Sequence, residues 1–246
     1  VTIDYGNGAL GQTISSADGL LCFAVCGAVA AGTGFTLSKL YSLRKLSDLA
    51  ALEVTDTNNP LLYQTVKDFY TEAQEGTQVY IIGYPDTLKM ADILDKDNPY
   101  LRTGIEETNG QLRGLIVTKK PEATPTLVGG MDEDVTNSLL AAQTLGEWSQ
   151  SVRYAPIFTI LDGVSYTGNP EDLTNLTTYA YNRAAVVIGS TEKGSDNQSV
   201  GLIAGRIAKN SVDRNIGRVA DGALSVLTMY AKDTAIELAD TESIYN

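Results

Sequence analysis

Apolar residues in this chain gather into short continuous runs, and these alternate with segments whose apolar positions recur at three-and-four spacing. The run Gly19 to Ala31 is small, apolar and too continuous for a surface helix, so it reads as a buried strand. Leu37 to Leu43 predicts a second short strand or turn, and Ser47 is placed to cap a helix that starts through Leu52. The clearest helix is Pro60 to Gln74: proline suits its first turn, and Leu62, Val66, Phe69, Tyr70 and Ala73 share one face. Gly76 ends it.

The alternation then repeats. Gln78 to Tyr84, Leu112 to Thr118, Ala155 to Leu161 and Ala184 to Gly189 read as strands. Between and after them, helices are predicted over Leu88–Leu94, Tyr100–Thr108 closed by Asn109-Gly110, Asp134–Val152, part of Pro170–Tyr181, and Ser199–Lys209. The last of these carries the small residues of a closely packed helix. Strands alternating with helices predict an α/β layer structure, a largely parallel or mixed sheet flanked by helices on both faces. Lys119 to Thr126, with Pro121 and Pro125, reads as a surface linker where the domain could divide. Gly217 to Asn246 carries no equally firm pattern.

Composition narrows the function. With 246 residues, 43% of them hydrophobic, the chain is long enough to bury a sizeable core. Its 30 acidic residues against 18 basic ones repel phosphate backbones and anionic lipid, so nucleic acid is not an expected partner. No run reaches the roughly 18 apolar residues of a membrane span, and the first residues lack the order of a secretory signal. Membrane insertion is therefore not expected, and the chain reads as soluble and intracellular when made. There is no histidine, which removes the commonest general base, the Ser-His-Asp arrangement and every His-ligated metal site. Cys22 and Cys26 have no second pair to complete a zinc shell and read as buried free thiols.

Candidate motifs weigh towards structural roles. Gly6-Asn7-Gly8-Ala9-Leu10-Gly11 satisfies the dinucleotide glycine pattern, but a poor helix follows and Cys22 to Thr33, where the ribose-binding acid belongs, holds none. Gly189 to Gly194 is a glycine-rich, hydroxyl-bearing loop after a strand, without the Gly-Lys-Ser or Gly-Lys-Thr of a phosphate loop, and reads as a solvated connection. Asp132-Glu133-Asp134 and Glu106-Glu107 are carboxylate groups able in principle to hold a hard cation, yet their place at helix starts and surfaces predicts solvation or helix-dipole roles. Trp148 reads as a packing residue beside Leu140, Ala141 and Leu145. Against the acidic background, Arg206, Lys209, Arg214 and Arg218 form a local basic patch, fit either for the acidic surface of another copy or for internal pairing with acids such as Asp221.

Two blocks carry a resemblance to a known family. Asp18-Gly19-Leu20-Leu21 with the apolar run after it, Phe35 to Leu52, Phe69-Tyr70-Thr71-Glu72-Ala73 and Gln78 to Gly83 form the first; Ala185 to Gly189, Ser199 to Ala208 and Arg214 to Gly222 form the second. Together they resemble the sheath-like proteins of contractile phage tails, in the branch catalogued as a domain of unknown function. The resemblance implies a non-enzymatic subunit, without cofactor or metal, that stacks as rings or a tube of its own copies around an inner tail-tube protein. It implies a place in a virion tail or prophage-derived particle, and cytoplasmic assembly in a bacterial host. It also implies a terminal arm that adds a strand to a neighbour, here residues 1–18 with Val1, Thr2, Ile3, Asp4 and Tyr5 as the strand, ahead of an α/β domain over 19–246. Sheath subunits usually continue into a C-terminal domain facing the tube; the sequence ends at Asn246 before such a region, so a fragment or a reduced variant is expected. The rival expectation is an α/β enzyme or nucleotide-binding protein that uses the loops after Tyr84, Leu161 and Gly189.

Overall fold

The computed structural model describes residues 20–210 and 223–236, which form one six-stranded sheet, six α-helices and two small two-stranded ribbons. Strand β1 (Leu20–Cys26) is buried along its whole length because both of its faces are covered. Leu21, Phe23 and Val25 face one layer of the core, while Cys22, Ala24 and Cys26 face the other. Beside β1 lie β3 (Val79–Tyr84) and β4 (Leu112–Lys119), both parallel to it. Then come β7 (Phe158–Asp162) and β8 (Ala184–Val187), again parallel. The short β2 (Tyr41–Leu43) closes the far edge antiparallel to β3.

The full order is β2-β3-β1-β4-β7-β8. Counting only the parallel strands in chain order gives 2-1-3-4-5, a doubly wound sheet whose order reverses between β1 and β4. The sheet takes strands from both sides of residues 119–126, so that stretch is a loop within one continuous sheet.

Helices cover both faces, as the alternation predicts. On one side α2 (Pro60–Ala73) and α6 (Val200–Lys209) pack together over Phe23, Val25 and Ile116. The predicted stripe of α2 is buried, and Phe69 meets Phe23 edge to face with ring centroids 5.5 Å apart. A Cβ on Gly201 would lie 2.2 Å from the Thr65 carbonyl oxygen, and one on Gly205 would lie 2.6 Å from that of Phe69. Glycine at these two positions is what lets the helices touch backbone to backbone. On the opposite side α3 (Met90–Leu94), α4 (Pro99–Glu107) and α5 (Glu133–Arg153) cover Cys22, Ala24, Leu115 and Val117. Asn109 and Gly110, both with positive φ, end α4 as expected.

Several expectations are corrected. The apolar run becomes strand only as far as Cys26, because Gly27 takes φ +89° and turns the chain. Ser47 does not cap the short α1 (Asp48–Ala51); the Asp48 carboxylate instead accepts from the Arg44 and Lys45 amides at 2.8 and 3.1 Å. Pro170 to Tyr181 is helical in part, as expected, but only as two 3-10 turns, over Pro170–Asp172 and Leu176–Thr178, each opened by an asparagine side chain accepting the amide two residues on. Leu140 is exposed rather than packed beside Trp148.

Candidate functional site

In a doubly wound sheet the place to look is the crevice at the carboxyl ends of the strands, where the order reverses. Here an open cleft of about 840 Å³ sits there, bordered by Cys26 and Gly27 after β1, Asp86 to Lys89 after β3, and Lys119 to Thr124 after β4. Its floor is charged. Lys119 ends β4 and is buried, with its Nζ 2.9 Å from Asp132 Oδ2, 3.2 Å from Glu122 Oε1 and 3.8 Å from Asp134 Oδ2. Burial would lower the Lys119 pKa, but the hydrogen bond and charge of Asp132, then Asp134 and Glu122, more than offset this and hold it above its usual value.

The two aspartates also fasten backbone. Asp132, the last residue of β6 (Met131–Asp132), which pairs with β5 (Leu127–Val128), accepts the Asp134 amide at 2.9 Å and so caps α5. Asp134 accepts the amides of Met90 and Ala91 at 2.8 and 3.1 Å, holding the first turn of α3 from another helix. Of the two roles expected for this acidic triplet, solvation or service to a helix start, Asp132 takes the second as the cap of α5, and solvation does not hold for Asp132 or Asp134, both of which are buried. A triplet beginning a helix offers the same pattern on a surface or in a core; only the arrival of Lys119 from the sheet decides between them.

A second buried carboxylate lies one strand away. Asp162 ends β7 with no exposure, and accepts from Thr118 Oγ1 at 2.5 Å, Asn197 Nδ2 at 2.9 Å and the Gln198 amide at 2.8 Å. Burial pushes its pKa up to about 7, against the opposing pull of those three hydrogen bonds. Asn197 also donates to the Lys119 carbonyl at 2.9 Å, so the two buried centres share one loop. That loop, after β8, is no freely solvated connection: Ser190 is buried and exchanges backbone hydrogen bonds with Tyr230 of the β9–β10 ribbon (Tyr230–Ala231 with Thr234–Ala235). Its hydroxyls face inward to the chain, Ser190 Oγ accepting the Glu192 amide and Ser199 Oγ the Thr191 amide.

These groups fix positions. The Lys119 ammonium is ringed by carboxylates, and the Asp162 carboxylate is sealed by donors from its own chain. Among the described residues, no group of three or more His, Cys, Asp or Glu is arranged to hold a metal ion. Cys22 and Cys26 are free, buried thiols, and burial pushes both upward in pKa, away from thiolate chemistry.

The basic patch proposed from the sequence is divided. Arg206 is buried, with Nε 2.8 Å from Glu72 Oε1, so it serves the α2–α6 contact and is not presented to another molecule. Lys209 is exposed, 3.7 Å from the same oxygen, and the Ser225 amide donates to the other Glu72 oxygen at 2.8 Å. Glu72, the partner that matters, was not singled out in the sequence; its place three positions after Phe69, beside the apolar stripe of α2, was the available sign. Arg214 and Arg218, the strand expected over Val1 to Tyr5, the rest of the expected arm and Gly6 to Gly11 lie outside the described residues.

Sheet order, helices on both faces and the crevice at the reversal define an α/β protein of the doubly wound kind. The chain belongs to the DUF2586 family, whose N-terminal domain model matches residues 1–244. No curated protein matches the sequence. Among the described residues no helix is long and apolar enough to cross a membrane.

Proposed function

We propose that this chain is a structural, self-assembling subunit of the contractile tail-sheath kind, acting by fitting against copies of itself and performing no catalysis. The observation that carries this reading is the open edge at β8. Thr159 donates to the Arg183 carbonyl and Gly163 to the Val187 carbonyl, so by the alternation of a parallel ladder residues 183, 185 and 187 face β7. The amides of Ala184 and Val186 then point outward, and β8 ends the sheet among the described residues. An edge of Ala-Ala-Val-Val without lysine, proline or bulge is a template for an added strand, which is how the resemblance to sheath proteins expects neighbours to join. On this reading the partners are further copies in a ring or tube and an inner tube protein, within a virion tail or prophage-derived particle.

The edge is tested with Val186→Pro, which removes an outward amide while leaving the ladder to β7 intact. Sedimentation of the variant is expected to show loss of the large assemblies formed by the unaltered chain, with the circular dichroism of the fold retained. Equal assembly by both proteins sinks the edge contact.

A second reading, ligand binding, is favoured by the cleft at the β1–β4 reversal, the position where such sheets hold small molecules. The inward engagement of the loop hydroxyls and of Lys119 weighs against it.

A further inference from the structure

Opposite the cleft, at the amino ends of the strands, α5 finishes in an unusual way. Its closing residue, Tyr154, takes the left-handed conformation at φ 56° and ψ 26°, a position that glycine normally fills at a helix end. The conformation is fixed from both sides, since the Ala155 amide donates to the Ser149 carbonyl and the Ser149 hydroxyl donates to the Ala155 carbonyl at 2.6 Å. The residue so presented is 87% exposed. A large aromatic side chain held in a costly backbone conformation and aimed at solvent contributes nothing to the fold that glycine would not.

The surface around it has the composition of an interface centre. Immediately beside Tyr154 is an open hollow of about 770 Å³ whose wall includes Pro156, Arg183 and Glu147. On the adjoining turn, the guanidinium groups of Arg102 and Arg153 lie over the Trp148 ring, 5.0 and 5.5 Å from its centroid. Tryptophan, tyrosine and arginine are the residues that most often dominate binding energy. The local charge departs from that of the whole chain: Arg102, Arg153 and Arg183 stand against Glu106 and Glu147, with Arg153 paired to Glu106, a net of +1 in a chain whose net charge is −12. Two copies repel each other across most of such a surface, and this patch is a place where they do not.

We infer that this patch pairs two copies of the chain about a two-fold axis, the Tyr154 ring of each seated in the hollow beside the Tyr154 of the other. A projecting ring and a receiving hollow side by side on one surface are what a two-fold contact requires, because each copy supplies both halves. Arg183 and Glu147 both line the hollow and are steadied within the chain, the Arg183 guanidinium donating to Gln150 Oε1 and Glu147 Oε1 accepting from Gln143 Nε2 at 2.7 Å; in the pairing the Arg183 guanidinium meets the incoming ring and the Glu147 carboxylate meets the arginines of the second copy. The contact closes on itself, so it is separate from the open-ended β8 edge and does not rest on the sheath reading.

The test is sedimentation equilibrium of the full chain carrying Val186→Pro, which silences the β8 edge, with and without Tyr154→Gly. Glycine relieves the left-handed backbone, so the second change is expected to keep or raise the melting temperature while weakening the dimer about thirtyfold or more, as for an interface hot spot. Arg183→Glu is expected to weaken it as well, through the hollow. A monomer at all concentrations before Tyr154 is changed, or an equally tight dimer after either substitution, overturns the inference. Large assemblies that persist in Val186→Pro count against the β8 edge alone, whereas their loss with the dimer retained supports both contacts.

Discussion

Lys119 Nζ lies 2.9 Å from Asp132 Oδ2, and each side chain is only 5% exposed, so the carboxyl end of the central sheet is held by a buried ion pair. Breaking such a pair from one side leaves an uncompensated charge in the interior. Lys119→Met is therefore expected to destabilise the fold by about 3–5 kcal/mol in urea unfolding. Adding Asp132→Asn, which keeps an N-cap for α5, should recover part of that loss. Additive losses from the two changes would show that the pair is not coupled.

The α2–α6 contact depends on the absence of two methyl groups. Gly201→Ala improves helix propensity by roughly 1 kcal/mol, yet its Cβ would stand 2.2 Å from the Thr65 carbonyl oxygen. We expect overpacking to win, with a net loss of about 1–3 kcal/mol and a lower melting temperature. A neutral or stabilising substitution would show that the helices are not in backbone contact.

Asp162 gives the fold a defined pH dependence. Its pKa is raised from 3.8 to about 7 in the folded state, so the folded chain holds a proton that the unfolded chain has released. Its contribution is fully present below about pH 4 and is lost as pH rises through 7, a change of up to about 4 kcal/mol. Asp68, pushed up to about 6 chiefly by burial, acts with the same sign. The unfolding free energy should fall more between pH 5 and pH 7.5 in the native sequence than in Asp162→Asn, and parallel curves would contradict the assignment.

The cleft at the sheet reversal is the test of the ligand-binding alternative. Because Lys119 and the loop hydroxyls are engaged within the chain, a panel of nucleotides is expected to leave the melting temperature unchanged. A rise of several degrees with one member would establish a binding site, since a ligand stabilises the state that binds it.

The doubly wound architecture was legible because periodicity survives burial. The continuous run of β1 and the three-and-four spacing of α2 each specify how many faces are covered, and that is enough for layers. The polar interior was not legible. Asp132, Asp134 and Arg206 carry sequence signals identical to those of surface residues, and their burial depends on partners 13 residues or more away along the chain, at Lys119 and Glu72. The partial helicity of 170–181 was legible but its 3-10 form was not, because Asx turns and short helices begin with the same asparagine and proline signals. Tyr154 was invisible for a related reason: sequence shows which residue ends a helix, and not the backbone angle it must take there.

Self-assembly is the claim on which the functional reading stands, and negative-stain electron microscopy of the purified chain examines it most directly. Rings or tubes built from many copies are the predicted result. A field of uniform single particles no larger than a dimer, across protein concentration and salt, would contradict it.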